Sequence, residues 1–259
     1  MDENGNRVGV VRDRDATRVL NGVNVYSYPA GCPGLWEPCS DGTFRTKSAD
    51  TEFPLPRFDS IVIYQGIVCS TISVGGDPEE FFGRVERALD ATLSAGVERA
   101  LAEGVEGSSN PFLGDADVNV LNSGTAVSPG VALSYLEESI GTTCRQGMLH
   151  FTPATVVALQ AFPVGDDADR RLITAAGTPV VAGQGYQDID TPWLSEPGET
   201  EDWAFATGPV NVYLGPVAAR NIKQVLDRSD NVVEYFAERY VLVVWDTVLQ
   251  DAILVDWAT

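Results

Sequence analysis

Asn231 and Glu238 near the end of the chain have side chains that could do chemistry. They stand seven residues apart in NVVEYFAERYVLVVWDT, a run otherwise rich in β-branched and aromatic residues. Such residues favour a strand, and a carboxylate among apolar neighbours is a suitable general base. The pattern therefore predicts a long strand and raises the question whether its two polar residues have a chemical task.

Other catalytic groups are scarce in the sequence. His150 is the single histidine, so a Ser-His-Asp or Cys-His arrangement would have to use it. It stands between Leu149 and Phe151 in a short apolar run, which favours a buried, hydrogen-bonded structural residue. The GQG at 183–185 is too short for a dinucleotide-binding loop, and the chain has no GK[ST] phosphate-binding loop. The acidic segment 187–202 lacks the alternating spacing of a calcium loop.

The cysteines do not form a metal-binding pattern. Zinc sites usually show two CxxC-like clusters, whereas only Cys32 and Cys39 lie close together here, with six residues between them. The other two are Cys69 and Cys144. We expect free thiols in a reducing compartment, no metal and no cofactor.

The charge of the chain limits its partners. It has 37 acidic and 17 basic residues, a net charge of −20, and its only lysines are Lys47 and Lys223. This balance argues against binding to nucleic acid or anionic membranes, because neutralising phosphates needs clustered basic residues. No apolar run approaches the ~20 residues that span a bilayer, and the first residues lack a signal-peptide pattern. We expect a cytoplasmic origin.

The first third of the chain predicts projecting segments followed by one long helix. Residues 1–30 resemble an extended arm, and residues 29–58 form a Pro/Gly-rich stretch that is too long for an ordinary loop in a compact domain. A strand interrupted at Gly66 is expected next. Asp77 as N-cap, Pro78 in the first turn and Gly104 at the end bound a long spine helix. Its apolar stripe is Phe81, Phe82, Val85, Ala88, Leu89, Leu93, Val97 and Ala100.

The remaining elements predict an α+β fold. Ser128, Pro129 and Gly141 bound a second helix, and a third begins at Thr152 and Pro153 after the strand GMLHF. Residues 171–186 predict two short strands around a turn. A hairpin across Gly208–Pro209 and a last strand, DAILVDW, complete the set.

This order of elements resembles the Hong Kong-type major capsid protein of tailed bacteriophages and the related encapsulin shells. The segments that carry the resemblance are VERALAEG, GMLHFTPATVVALQAF, TPVVAG and FAERYVLVVWDTVLQDAILVDW, within residues 50–259. The resemblance implies an N-arm at 1–30 and an extended loop with its approach strand at 31–72. It also implies a peripheral domain at 73–120 plus 222–259 and an axial domain at 121–221.

Two departures help to choose within these relatives. Encapsulin shells generally begin with an amphipathic helix, which MDENGNRVGVVRDRD does not resemble. The start at Met1 favours a separate scaffold protein, or none, over a cleaved scaffolding segment. We expect a virion shell protein, assembled in the host cytoplasm, that forms hexamers and pentamers and encloses double-stranded DNA without specific binding. Portal, scaffold or decoration proteins are expected partners.

The resemblance also suggests a chemical task for Asn231 and Glu238. In some capsids of this family, a lysine of the extended loop forms an isopeptide bond with an asparagine of a neighbouring subunit, assisted by a glutamate. Lys47, Asn231 and Glu238 match that pattern. An odd spacing on a strand places Asn231 and Glu238 on opposite faces, so different subunits would supply them. The alternative is that Glu238 forms an ion pair with Arg239 or with an arginine of a neighbour.

Loop residues and Arg239 are the expected inter-subunit contacts. The loop residues, expected to lie over an adjacent subunit, are Trp36, Phe44, Phe53 and Leu55. Two other classes stay open: an encapsulin-type compartment, and a soluble acidic enzyme or carbohydrate-binding module. The sequence shows no convergent set of polar residues for the latter, and no pair among its carboxylates stands out as a glycoside-cleaving pair.

Overall fold

The computed structural model describes residues 10–11, 22–25, 56–70, 78–159, 172–220 and 232–259. Asp77, most of the predicted N-arm and residues 31–55 of the predicted extended loop lie outside these ranges. The described chain contains helices and strands in mixed order, so the α+β prediction is confirmed.

The long spine helix, α1, spans Pro78–Glu103. At 1.5 Å per residue its 26 residues extend for about 39 Å. Gly104 ends it with a φ of +79° and donates its N–H to the Ala100 carbonyl at 3.1 Å, as predicted. The predicted stripe faces the core: Phe81, Val85, Leu89 and Leu93 are buried, while Phe82, Val97 and Ala100 pack against the same cluster.

Glu98 of α1 is not part of the predicted apolar stripe, yet the structure buries it. It is only 8% exposed, and its carboxylate accepts a hydrogen bond from the Gly185 N–H at 3.1 Å. A Cβ on Gly183 would lie 2.4 Å from that carboxylate. The glycines of AGQGY thus allow the backbone to approach a buried acid of the spine helix.

A four-stranded sheet packs against α1. Its strands, in spatial order, are β1 (Val10–Val11), β10 (Val210–Arg220), β11 (Val232–Trp245) and β4 (Ile61–Ser70). β1 is parallel to β10, whereas β10, β11 and β4 are antiparallel to their neighbours. A separate pair joins β2 (Val23–Asn24) to β3 (Arg57–Phe58).

A six-stranded sheet forms the second layer of strands. Its spatial order is β5 (Asn119–Val120), β12 (Gln250–Asp256), β9 (Glu201–Thr207), β6 (Met148–Phe151), β8 (Pro179–Ala182) and β7 (Leu172–Ile173). Helix α2 (Pro129–Thr143) packs on this sheet, and the short helix α3 (Pro153–Ala158) follows β6. The two predicted strands at 171–186 and the last strand are therefore confirmed.

The predicted hairpin across Gly208–Pro209 is wrong. β9 pairs with β12 and β6, whereas β10 pairs with β11 and β1, so the chain passes from one sheet to the other at this dipeptide. The return from β11 to β12 crosses beside it, since Val210 pairs with Trp245 and Thr207 with Gln250. Pro209 has no N–H to donate to a ladder, and this favours a corner between sheets as much as a hairpin.

The end of α2 also differs from the prediction. The helix continues through Gly141 to Thr143, and Cys144 ends it in a left-handed conformation with a φ of 51°. Ser128 precedes the helix without a side-chain hydrogen bond to it. Cys144 is disulfide-bonded, so the expectation of free thiols is wrong at this position.

Gly66 does not interrupt β4, which runs unbroken from Ile61 to Ser70. It lies opposite Phe236 of β11, and a Cβ there would be 2.6 Å from the Phe236 ring. The missing side chain at Gly66 therefore leaves room for the Phe236 ring of the neighbouring strand.

We expect Gly66→Ala to lower the free energy of unfolding by about 1–3 kcal/mol, because the Phe236 ring must shift to admit the methyl group. Urea unfolding followed by circular dichroism measures the change. Gly130→Ala in α2 is the matched control, since a Cβ there meets no atom within 4 Å. The control is expected to be neutral or to stabilise by up to about 1 kcal/mol, and equal losses in both variants would contradict the packing argument.

The two sheets bear on the predicted domains, whose boundaries stay a prediction. β10 lies within the predicted axial segment 121–221 but pairs with β11 of the predicted peripheral segment. β12 of the peripheral segment pairs with β9 of the axial one. The two predicted segments are therefore joined by strand pairing in both sheets, through β9 and β10 on either side of Gly208–Pro209.

Candidate functional site

Where β4 pairs with the first half of β11, the four-stranded sheet has one face against α1, and its other face is exposed among the described residues. Tyr235 marks the helix side, because its ring lies 5.2 Å from the rings of both Phe81 and Phe82. Since side chains alternate along a strand, the even-numbered residues of β11 point to the other side. The even-numbered residues of β4 pair with the even-numbered residues of β11, so they lie on the same face of the sheet.

The open face exposes large apolar side chains. Val62 is 42% exposed, Tyr64 65%, Val68 65% and Tyr240 40%. Phe236 lies among them, with its ring centre 6.3 Å from that of Tyr64. Contiguous exposed apolar groups on a folded protein mark an interaction surface. We call this set of five residues the open apolar face.

Glu238, the predicted proton acceptor, lies on the open apolar face. It pairs with Tyr64 on one side and Ala218 on the other, between Phe236 and Tyr240 along its own strand. The side chain is half-buried. Its surroundings are therefore apolar and aromatic, and a partner that covered the face would bury the carboxylate further.

Arg239 points to the opposite side of the sheet. Its Nε–H donates to the Gly215 carbonyl at 2.6 Å, at the irregularity where the register of β10 shifts between Leu214 and Val217. Its guanidinium lies 4.0 Å from the Asp90 carboxylate of α1. The contacts with Gly215 and Asp90 join the sheet to its own spine helix, and the expected contact of Arg239 with a second subunit stays a prediction.

None of the other predicted site residues has a described position. Lys47, Asn231 and the predicted contacts Trp36, Phe44, Phe53 and Leu55 lie outside the described residues. Sequence reasoning overlooked Tyr64, Val68 and Tyr240. A period-of-two analysis of β4 and β11 would have grouped them, but only the position of α1 shows which group is left uncovered.

His150 is a buried structural residue, as predicted, at 1% exposure. Its Nδ1 lies 2.9 Å from the Tyr186 hydroxyl and its Nε2 lies 2.8 Å from the Thr207 hydroxyl. Thr207 donates its own proton to the Gly208 carbonyl, so its oxygen accepts from Nε2–H, and Tyr186 O–H donates to Nδ1. Burial lowers the pKa of His150 to about 3, because charging a buried imidazole costs its hydration.

Buried acids tie the second sheet together. Asp251 of β12 accepts hydrogen bonds from Asn119 and from Ser139 of α2. Asp202 of β9 accepts from Thr152 at 2.8 Å, and burial raises the pKa of Asp202. Across the described residues, no group of three His, Cys, Asp or Glu side chains is arranged to hold a metal ion.

Known proteins resemble the chain in structure and not in sequence. No family model and no curated protein matches it. A solved structure from Microbacterium phage Oxtober96 aligns with a TM-score of 0.52 at 10% identity, over 95% of this chain and 88% of that chain. The chain has the Hong Kong-type capsid fold.

Other solved structures with the Hong Kong-type fold align less closely. An encapsulin complex from Synechococcus elongatus has a TM-score of 0.49 at 12% identity, over 95% of both chains. The major capsid proteins of phage G, solved with decoration proteins, have a TM-score of 0.48 at 10% identity, over 96% of this chain and 86% of that chain.

Among the described residues, no helix is long and apolar enough to cross a membrane.

Proposed function

We propose that the chain is the major capsid protein of a tailed double-stranded DNA bacteriophage. The open apolar face carries the proposal: Tyr64 and Val68 on a 10-residue edge strand are each 65% exposed, in a fold of the capsid type. Monomeric soluble proteins rarely leave large contiguous apolar patches exposed, whereas a shell subunit buries such a surface against identical neighbours. The chain acts by its shape and its contacts.

Assembly into hexamers and pentamers would bury more than about 2,000 Å² at each obligate interface. In this proposal, the loop residues Trp36, Phe44, Phe53 and Leu55 cover an adjacent subunit. The division into N-arm, extended loop, peripheral domain and axial domain is part of the same proposal. Portal, scaffold or decoration proteins would join the shell, which would assemble in the host cytoplasm.

The charge of the chain suits a container for DNA. A net charge of −20 repels phosphate, and a wall that repels DNA lets the genome slide during packaging and release. Enclosure would therefore occur without specific binding. A strongly basic inner surface in an assembled particle would contradict this point.

We expect the purified protein to elute as particles of many subunits, and to show closed shells by negative-stain microscopy. Tyr64→Asp combined with Val68→Asp is expected to shift at least tenfold more chain into the subunit fraction, because a partner cannot cover a charged face. Ser134→Asp on the exposed surface of α2 is the control.

Three results would count against the proposal. A monodisperse species near the chain mass of 27.8 kDa that never assembles favours a soluble enzyme or binding module. Particles that carry a packaged enzyme in place of DNA identify an encapsulin-type compartment. Full assembly of the double Asp variant would show that the open apolar face is not an interface.

The crosslink is a separate hypothesis about Lys47, Asn231 and Glu238. Lys47 Nζ would attack the side-chain amide carbon of Asn231 on another subunit, ammonia would leave, and Glu238 would take up the amine proton. The position of Glu238 on the open apolar face supports this role, because an apolar partner would strip water from the carboxylate. The alternative, an ion pair between Glu238 and an arginine of a neighbour, needs no chemistry.

The crosslinking hypothesis predicts a ladder of covalent multimers when assembled particles are boiled in detergent and separated on a gel. Glu238→Gln should abolish the ladder and leave the particles intact, while Lys47→Arg should abolish it through loss of the nucleophile. A single band at 27.8 kDa from wild-type particles assigns Glu238 to ion pairing.

A further inference from the structure

We propose that Arg84 and Arg87, on the outward face of the spine helix, contact the end of the spine of a second copy. The contacted surface is centred on Trp193 and carries the carboxylates Glu106, Asp190 and Glu196. This inference rests on the proposed function, since it requires that the chain assembles. It assigns one specific polar contact that the open apolar face does not supply.

Arg84 and Arg87 differ from the other described arginines. The other arginines with described side chains each lie near a carboxylate of the same chain. The pairs are Arg57 with Asp59, Arg99 with Glu103, Arg145 with Asp246 and Arg239 with Asp90. Arg84 and Arg87 are both exposed and have no ion pair among the described residues. They stand three residues apart, so they share one helix face.

Two arginines without an ion pair among the described residues are unexpected in this chain, because acidic residues outnumber basic residues by 37 to 17. The excess of carboxylates makes a carboxylate-bearing surface of a second copy the matching partner. DNA phosphate would also attract arginine, but the net charge of −20 opposes the approach of nucleic acid to the surface as a whole.

The C-terminal end of α1 presents such a surface together with apolar area. Trp193 is 49% exposed and Val105 is 42% exposed, and the Trp193 ring lies 5.8 Å from that of Phe112. Phe112 in turn packs where a Cβ of Gly104 would stand, at 2.7 Å. The loop that bears Trp193 is tied to the helix, since the Asp190 N–H donates to Glu103 at 3.3 Å.

The local charge at this end is strongly negative. Glu106, Asp190 and Glu196 are exposed, and the last turn of α1 has no basic residue. The carbonyl end of a helix itself carries about half a negative charge. Arg99, the nearby cation, is engaged by Glu103 at 2.7 Å. Within the described part of the chain, no cation beyond Arg99 offsets the negative charge at this end of the helix.

Arginine matches both halves of this surface. Its planar guanidinium stacks on an indole ring and can at the same time donate paired hydrogen bonds to a carboxylate. The 16 residues from Arg87 to Glu103 place the two surfaces about 24 Å apart along the helix. Because the surfaces differ, the contact is heterologous, and repetition of a heterologous contact can close a ring of subunits.

The test is a charge exchange in the full chain, with particle yield measured by sedimentation and negative-stain microscopy. Arg84→Glu combined with Arg87→Glu is expected to reduce the particle fraction at least tenfold relative to wild type. Adding Glu106→Arg and Glu196→Arg to the same chain is expected to restore most of the yield. Arg84→Lys with Arg87→Lys keeps the charge and should lose at most a few-fold, and circular dichroism checks that each variant is folded.

The outcomes separate this inference from the proposed function. Wild-type protein that never assembles overturns both. Wild-type particles together with full assembly of the Arg84→Glu/Arg87→Glu variant overturn the inference alone, as does a folded double variant whose loss the exchanged carboxylates do not restore. Normal shells that lack only packaged DNA would assign the arginines to nucleic acid and also overturn the inference. If the double Glu variant does not fold, Arg84→Gln with Arg87→Gln replaces it under the same criteria.

Discussion

Phe205→Ala is expected to lower the free energy of unfolding by about 3–5 kcal/mol, one of the two largest effects that we predict for this chain. Phe205 is fully buried on β9, opposite Ala252 of β12 and His150 of β6. Its side chain belongs to the cluster that includes the spine helix, whereas Ala204 and Ala206 face the second cluster with α2. Truncation leaves a cavity where the layers meet.

Urea unfolding of the subunit, followed by circular dichroism and tryptophan fluorescence, measures this loss. Phe205→Leu keeps most of the volume and should cost less than about 1.5 kcal/mol. Val157→Ala, at a side chain that is 76% exposed, should change stability by at most about 0.5 kcal/mol. A loss at Phe205→Ala no larger than that of Val157→Ala would refute the central position of β9.

The second large effect is a loss of stability in acid that depends on His150. Its pKa is about 3 in the folded chain and close to 6.5 in an unfolded one. Above pH 6.5 the imidazole of His150 is neutral in both the folded and the unfolded state, so His150 causes no loss of stability there. As pH falls from 6.5 towards 3, only the unfolded state gains the proton, and each pH unit costs up to about 1.4 kcal/mol. By pH 3 the total would reach about 5 kcal/mol.

His150→Gln separates this contribution, because glutamine can bond to Tyr186 and Thr207 without titrating. Unfolding curves between pH 7 and pH 4 should show a shallower decline for the variant than for wild type. Asp202 acts in the opposite direction: its raised pKa lets the folded state bind a proton first, so that falling pH favours folding there. Since the chain has one histidine, parallel curves for wild type and variant between pH 6 and pH 5 would contradict the prediction.

The sequence predicted part of the candidate site and could not predict its environment. The strand around Glu238 followed from its β-branched and aromatic residues, and β11 spans Val232–Trp245 as expected. Which face the carboxylate occupies depends on the register with β4 and on the side covered by α1. Both are contacts between residues more than 100 positions apart, and local pattern does not encode them.

Glu98 and Gly66 illustrate the same limit. The helix period placed Glu98 away from the predicted stripe, yet the loop at 183–186 packs over it and supplies the Gly185 N–H as a partner. Gly66 suggested a break in β4, because local rules treat glycine as a strand breaker. The structure instead uses the missing side chain as space for Phe236.

By itself, the sequence determined the main helices and strands, though not all their ends, because periodicity, Pro and Gly act within a few residues. The spine helix, the burial of His150 and the α+β class were all accessible at that level. Only the tertiary structure decided that the chain crosses between sheets at Gly208–Pro209 and that Tyr64, Val68 and Tyr240 share an exposed sheet face within the described residues. Those features depend on which distant segments pack together, and burial of apolar area, which has no direction along the chain, selects that packing.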